Sequence, residues 1–217
     1  MQKEVPHIPF TIIVPYRDRR IHLDTFVPYM LRMFPNAIIC IIEQERGKPF
    51  NRGKLLNIGY KIFKNEARYH AFHDVDMLPH PHFADAYIYP STPTHIATMA
   101  SQFAYKMPYP DYFGGIVLFN NADFEKVNGY SNNFWGWGAE DDHLRMRVEQ
   151  SGLEITRVPC KIKSLSHNRN INPIQYAQNL NLLNQGDESG LTDCEYSVLE
   201  WYEMRPNSSC NHLLVSI

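Results

Sequence analysis

Long apolar runs are missing from this sequence of 217 residues. No stretch approaches the roughly 20 apolar residues that a bilayer-crossing helix needs, and Met1 to His7 carries no apolar h-region. The expectation is a soluble, cytoplasmic protein without signal peptide or membrane anchor. A charge surplus is lacking too: 21 Lys and Arg stand against 23 Asp and Glu, a net charge of −2. That gives no electrostatic reason to expect nucleic acid or an anionic membrane as partner, so any phosphate must be met by local basic residues or a metal. Cysteine is scarce. The four present, Cys40, Cys160, Cys194 and Cys210, form no CxxC pair and no zinc-ligand spacing. Cys40 lies in the apolar run Ala37 to Ile42 and reads as a buried thiol; Cys194 and Cys210 are open to bridging, though nothing requires it. Internal repeats, low-complexity tracts and interdomain linkers are absent as well, which leaves one domain over residues 1–217.

What is present is an ordinary globular composition, 44% hydrophobic and 20% charged, with an aromatic share of 13% that suits either flat ligands or an aromatic core. Phe10 to Pro15 is a short β-branched run, read as a buried parallel strand that ends in the basic cluster Arg17, Arg19 and Arg20. From Ile21 to Met33 the apolar residues recur at helical spacing, and Ala37 to Ile42 is a second buried strand. This β-α-β opening predicts an α/β fold with a mostly parallel central sheet, whose ligands bind at strand C-terminal ends. Further strands are expected at Tyr69 to His73, Ile116 to Phe119, Leu153 to Val158, Tyr196 to Tyr202 and Leu213 to Ile217. Helices are expected after Phe50, at Ala122 to Val127, Asp142 to Gln150 and Pro173 to Gln185.

Three stretches carry chemistry. Basic residues in Phe50-Asn51-Arg52-Gly53-Lys54 oppose the dipole of the helix that begins there, and suit either an anion or a solvated helix end. Asp74-Val75-Asp76 follows a strand; in an extended segment both carboxylates share a face and can hold a hard divalent cation, the bland alternative being a capping Asp. In Phe134-Trp135-Gly136-Trp137-Gly138-Ala139-Glu140-Asp141-Asp142 two tryptophans alternate with glycines and three acids follow at a helix start. Glycine beside tryptophan lets the backbone bend while broad apolar plates stay exposed; a Trp-rich turn packed into the core fits the same letters. His167 lies in a polar segment and is a candidate metal ligand.

Together with Pro15-Tyr16-Arg17-Asp18-Arg19 and Tyr112-Phe113-Gly114-Gly115, these landmarks resemble the β-1,4-galactosyltransferase family, glycosyltransferase family 7, in order from about residue 10 to about 170. The resemblance implies a GT-A-type fold and inverting transfer from a UDP-sugar, commonly with Mn²⁺. By the same resemblance residues 10–120 form mainly the donor and metal side, and residues 121–217 mainly the acceptor side and closing loop. Pro15, Tyr16, Arg17, Arg19, Phe50, Asn51, Arg52 and Lys54 would border the uridine diphosphate. Asp74, Val75, Tyr112, Gly115 and Trp137 would complete the donor pocket. Asp76 and His167 would ligate the metal. Asp141 would be the catalytic base, with Trp135, Gly138, Glu140 and Asp142 holding the acceptor side.

Two departures from the family pattern stand out. Ser164 occupies the place of a ligating Met and Leu165 stands two residues before His167, so the third ligand is unassigned; water, His73 or His143 are the alternatives. The membrane anchor and stem of animal members are also missing, which suits a bacterial or viral enzyme. Tyr112 resembles the galactose-using members, since a phenol ring leaves no room for a 2-acetamido group; UDP-galactose is the expected donor. UDP-GalNAc or UDP-glucose transfer, a non-catalytic glycan-binding module and a metal-dependent hydrolase are the rival readings. The glycan acceptor and the oligomeric state are not legible.

Overall fold

The computed structural model of the chain describes residues 9–168, 171–204 and 209–217; the reading of Met1 to His7 lies outside the described residues. The β-α-β opening forms as expected, with β1 (Phe10–Tyr16), α1 (Arg20–Met33) and β2 (Ile38–Gln44) followed by α2 (Arg52–Phe63) and β3 (Tyr69–His73). Then come β4 (Met77–Pro79), β5 (Thr94–His95), β6 (Met99–Ala100), β7 (Ile116–Asn120), α3 (Asn121–Lys126) and α4 (Glu140–Gln150). The chain continues through β8 (Thr156–Arg157), β9 (Lys161–Ser164), α5 (Pro173–Gln185), β10 (Ser197–Glu203) and β11 (Cys210–Ser216).

Among the described residues one sheet has the order β10-β11-β2-β1-β3-β7-β5-β8, and a smaller one the order β4-β9-β6. Strands β11, β2, β1 and β3 run parallel at the centre, while β10 and β7 join them antiparallel. The sheet is therefore parallel in the middle and mixed toward its edges. The strand expected at Leu153 to Val158 is reduced to Thr156–Arg157, and the small sheet was not expected. Its strands are two to four residues long, too short for a periodic signal.

Alternation along β1 explains why the strand reads as one continuous apolar run. Phe10, Ile12, Val14 and Tyr16 pack on the α1 side, and Ile13 packs on the α2 side. Both faces are buried and therefore mainly apolar, and the Thr11 hydroxyl is paired with His70 Nδ1. Removing a side chain such as Ile12 or Ile13 from water contributes about 1.5–3 kcal/mol each. All four cysteines are buried, and Cys194 and Cys210 are not bridged to each other. Among the described residues no helix is long and apolar enough to cross a membrane.

Candidate active site

The direction of the strands brings the chemistry-bearing segments to one edge. Strand β1 ends at Tyr16 and releases Arg17 and Arg19; β3 ends at His73 and releases Asp74 to Asp76. Strand β7 runs the opposite way, so the Gly114-Gly115 pair before it starts at the same edge, where Asp74 N donates to Gly115 O at 3.0 Å. Gly115 has φ +82°, and a Cβ there would meet Met77 Sδ at 2.6 Å, so only glycine fits. A cavity of about 1110 Å³ opens at this edge.

One wall of the cavity is an acid cluster built around Arg52. Asn51 caps α2, accepting from Lys54 N at 2.9 Å, and is itself held by Gln44 and the Asn132 carbonyl. Arg52, next in the chain, donates through Nε to Asp74 Oδ1 and through Nη1 to Asp141 Oδ1, both at 2.7 Å; Glu140 lies 3.8 Å away. Its guanidinium also lies over the Tyr130 ring, 5.7 Å from the centroid. Burial pushes the Asp141 carboxyl well above the usual aspartate range, the Arg52 charge opposing that shift. Glu140 moves the same way for the same reason. All three acids occupy the first turn of α4, where negative charge suits the helix dipole. Asp142 turns from the other two and accepts from the Tyr109 hydroxyl at 2.9 Å. A 100° turn per residue separates the three carboxylates as the sequence implied.

The Trp-Gly-Trp-Gly stretch forms the roof. Gly136 N donates to Phe50 O at 2.7 Å, which ties the roof to the start of α2. On the other side Asn179, the buried residue of α5, donates to the carbonyls of Trp135 and Gly138 at 2.9 Å and lies 3.5 Å from that of Trp137. Gly138 has φ +100°, and a Cβ there would come within 2.8 Å of the Tyr176 ring. Ala139 then takes φ +76°, a strained conformation for alanine, immediately before the acids. Trp137 keeps 43% of its surface exposed beside Tyr176, at a ring separation of 5.3 Å. The buried-turn alternative therefore holds for Phe134, which is 2% exposed, and not for Trp137.

The third wall carries Asp76 and His167. The two acids of Asp74-Val75-Asp76 do not share a face as an extended segment would require. The chain turns here, with Met77 N donating to Asp74 O, so Asp74 joins Arg52 while Asp76 Oδ2 meets His167 Nδ1 at 3.0 Å. Three consecutive residues before His167 are anchored by different elements. Ser164 N donates to Ser101 Oγ at 2.8 Å and Leu165 N to Asp76 O at 2.7 Å; the Ser166 carbonyl accepts from His22 Nε2 at 3.2 Å.

A divalent cation fits this pair. Asp76 and His167, 3.0 Å apart, would offer it a carboxylate oxygen and an imidazole nitrogen, both donor types that divalent cations take. Among the described residues no group of three or more His, Cys, Asp or Glu side chains is arranged to hold a metal. His73 is fully buried between Tyr87 Oη at 3.0 Å and the Asp74 carbonyl at 2.8 Å, and burial lowers it to about 4. His143 borders a separate cavity with Arg147 and Asp187. The arrangement suits an ion of the Mg²⁺ or Mn²⁺ type, which takes one or two protein ligands and completes its shell with phosphate oxygens and water.

Of the residues singled out in the sequence, Pro15, Arg17, Arg19, Phe50, Arg52, Asp74, Val75, Asp76, Tyr112, Trp137, Gly138, Glu140, Asp141, Asp142 and His167 line the one cavity. Tyr16 points into the core against His212; Asn51, Lys54, Gly115 and Trp135 stand behind the lining and act through the backbone around it. Sequence reasoning missed His22, Tyr109, Gln175, Tyr176 and Asn179. His22 sits on α1, whose apolar spacing explains Leu23 and Phe26 and gives no reason to notice the histidine before them.

Two family profiles match the chain. One, described as the N-terminal region of glycosyl transferase group 7, covers residues 3–89; another, described as the N-terminal domain of galactosyltransferase, covers residues 94–170. Human beta-1,4-galactosyltransferase 4 is 37% identical over 201 residues, which is 87% of this chain and 58% of that protein. Human beta-1,4-galactosyltransferase 3 is 32% identical over 207 residues, 89% of this chain and 53% of that protein. The chain thus spans little more than half the length of these curated relatives. The catalytic domain of Drosophila β-1,4-galactosyltransferase 7, solved with xylobiose, superposes with a TM-score of 0.85 at 30% identity, covering 97% of this chain and 94% of that one. A mutant of the same enzyme, solved with manganese, UDP-Gal and xylobiose, gives 0.83 at 29% identity over the same shares. The S. aureus protein TarS, at 11% identity and a TM-score of 0.61, shares the fold.

Proposed function

The chain belongs to the β-1,4-galactosyltransferase family of glycosyltransferase group 7, and we propose that it transfers galactose from UDP-galactose to the terminal sugar of a glycan, with inversion and a β-1,4 linkage. One observation carries the reading. Asp141, a partly buried carboxylate with raised proton affinity, faces the same cavity as the Asp76–His167 pair and is held by an arginine that also binds Asp74.

In this mechanism the acceptor hydroxyl oxygen forms a bond to the anomeric carbon as the bond from that carbon to the UDP oxygen breaks. The hydroxyl proton passes to Asp141 and the leaving electron pair stays on the diphosphate. A raised proton affinity makes Asp141 a better acceptor for that proton than an exposed aspartate. Arg52 orients it, and the same guanidinium fixes Asp74 beside the donor sugar. Arg17, whose guanidinium lies 5.3 Å from the Phe50 ring centroid, and Arg19 face the diphosphate. Asp76 and His167 would hold a divalent cation, which when bound would supply positive charge beside the diphosphate. Trp137 covers the sugar and excludes water that would otherwise hydrolyse the donor. Glu140 and Asp142, the latter fixed by Tyr109, bind the acceptor's hydroxyls. Residues 10–120 form mainly the donor and metal side, residues 121–217 mainly the acceptor side, of one domain working in the cytoplasm.

Donor choice rests on Tyr112. Its side chain lies so close to Gly114 that a Cβ on that glycine would come within 2.7 Å of the phenol oxygen and 2.3 Å of Asp141 Oδ2. On this reading the phenol ring, lining the cavity beside Asp141, leaves no room for a 2-acetamido group on the donor sugar. Transfer to a panel of terminal sugars with UDP-galactose, UDP-GalNAc and UDP-glucose, with and without Mn²⁺, tests the proposal. UDP-galactose with Mn²⁺ is expected to give the fastest transfer. Faster transfer from UDP-GalNAc refutes the Tyr112 argument, and UDP release without any acceptor product points to a hydrolase.

A further inference from the structure

Two side chains hold the cation in the reading above, and no third His, Cys, Asp or Glu joins them among the described residues. A site with few ligands depends on how well those ligands are held in place. His167 lies on the irregular connection between β9 and α5, where no helix or strand fixes it. The residue before it is gripped from α1. His22 Nε2 lies 3.2 Å from the Ser166 carbonyl, so that nitrogen carries a proton and donates. Nδ1 is buried and has no hydrogen-bond partner among the described residues. The two imidazole rings meet edge to face, with centroids 5.8 Å apart and planes at 74°, and both line the cavity with Asp76.

We propose that His22 is a positioning residue of the metal centre: it holds the His167 segment against Asp76 through the Ser166 carbonyl and stands in, by preorganisation, for a third side-chain ligand. The proposal rests on Asp76 and His167 holding a divalent cation. Each end of the contact has a physical reason. Helix α1 is anchored in the core by Leu23, Phe26, Val27 and Met30, so a side chain on it is a fixed point. Leu165, bonded to the Asp76 backbone, already brings the segment to the correct strand, and the His22 bond then sets the direction in which residue 167 leaves. Edge-to-face contact removes some of the rotational freedom of the His167 ring.

The test is Mn²⁺ binding in the presence of UDP, followed by the loss of the free-ion electron paramagnetic resonance signal. His22→Phe keeps the ring and removes the donor; it is expected to weaken Mn²⁺ binding about 10-fold, within the range for outer-shell partners of a metal site. His22→Gln restores an N–H donor and is expected to recover most of that loss. Thermal melting of both variants shows whether the fold is kept, and if His22→Phe does not fold, the His22→Gln comparison stands alone. Tight binding by a folded His22→Phe overturns the proposal, as does His22→Gln binding as weakly as a folded His22→Phe. Electron spin echo modulation counts coordinated imidazoles: one is expected, and a second that disappears in His22→Gln makes His22 a ligand and also overturns it. If the unaltered protein takes up no Mn²⁺, the reading of Asp76 and His167 fails instead.

Discussion

The acid cluster and the His167 segment border one cavity and are held by opposite means. Around Arg52 the hold is electrostatic and buried, with two charge-assisted bonds of 2.7 Å joining groups from α2, from the end of β3 and from α4. Around His167 the hold consists mainly of neutral hydrogen bonds to the preceding residues, from Ser101, Asp76 and His22. Neutral bonds contribute about 0.5–1.5 kcal/mol each, whereas unpairing a buried charge costs several kcal/mol. The difference suits the two proposed roles. A base needs one orientation and a tuned proton affinity, which a guanidinium supplies. A metal ligand needs its direction fixed before the cation arrives, and several neutral bonds to the preceding residues do that.

The largest effect is expected when the electrostatic side is broken. Arg52→Met leaves Asp74 and Asp141 without their shared cation, which costs about 3–5 kcal/mol of stability, to be read from urea unfolding. A loss below about 1 kcal/mol would mean that the two walls are held equally loosely. Asp141→Asn keeps the shape of the wall and removes the base. Transfer is expected to fall by about two orders of magnitude or more while UDP binding and fold persist; near-normal turnover removes Asp141 from its role.

The next effect concerns pH. Burial raises Asp141 and Arg52 lowers it, the net direction being upward. The base is therefore lost, as pH falls, at a higher pH than the ordinary aspartate value of about 3.9, and the acid limb of kcat/KM is displaced accordingly. The sign for folding is opposite to that for activity. A carboxylate with a raised folded pKa favours the folded state at low pH, and that contribution is lost as pH rises through the raised value. An acid limb at the ordinary value would show that Arg52 fully offsets burial. The smallest effect is expected at the roof, where Asn179→Ala frees the carbonyls of Trp135 and Gly138. Transfer should fall about 10-fold, chiefly through a higher acceptor KM, an expectation set by the loss of about two neutral hydrogen bonds. A KM left unchanged separates the roof from acceptor binding.

Much of this was legible in the letters. The β-branched runs at Phe10 to Pro15 and Ala37 to Ile42 predict buried strands because both faces of a central parallel strand are apolar. The helix limits at α5 follow from Asn172 and Pro173 at its start and Gly186 at its end. The five motifs that resemble the family lie at strand ends, helix starts and tight turns, where function constrains residue type most. The separate fates of Asp74 and Asp76 were not legible, because a turn and an extended segment share the pattern Asp-Val-Asp. Nor was His22, 145 positions from His167, because no local period links α1 to the connection after β9.

By itself, then, the sequence determined which segments become strands and helices, that the basic and acidic motifs gather at one sheet edge, and the family to which the chain belongs. Periodicity and capping are local, and a right-handed β-α-β unit leaves few ways to arrange them. The tertiary structure alone decided which charge meets which: that Arg52 joins Asp74 to Asp141, that Asp76 goes to His167, and that α1 reaches across to hold the segment before it. Those pairings depend on distances of a few ångströms between residues far apart in the chain, and Coulomb and hydrogen-bond energies are decided at that scale.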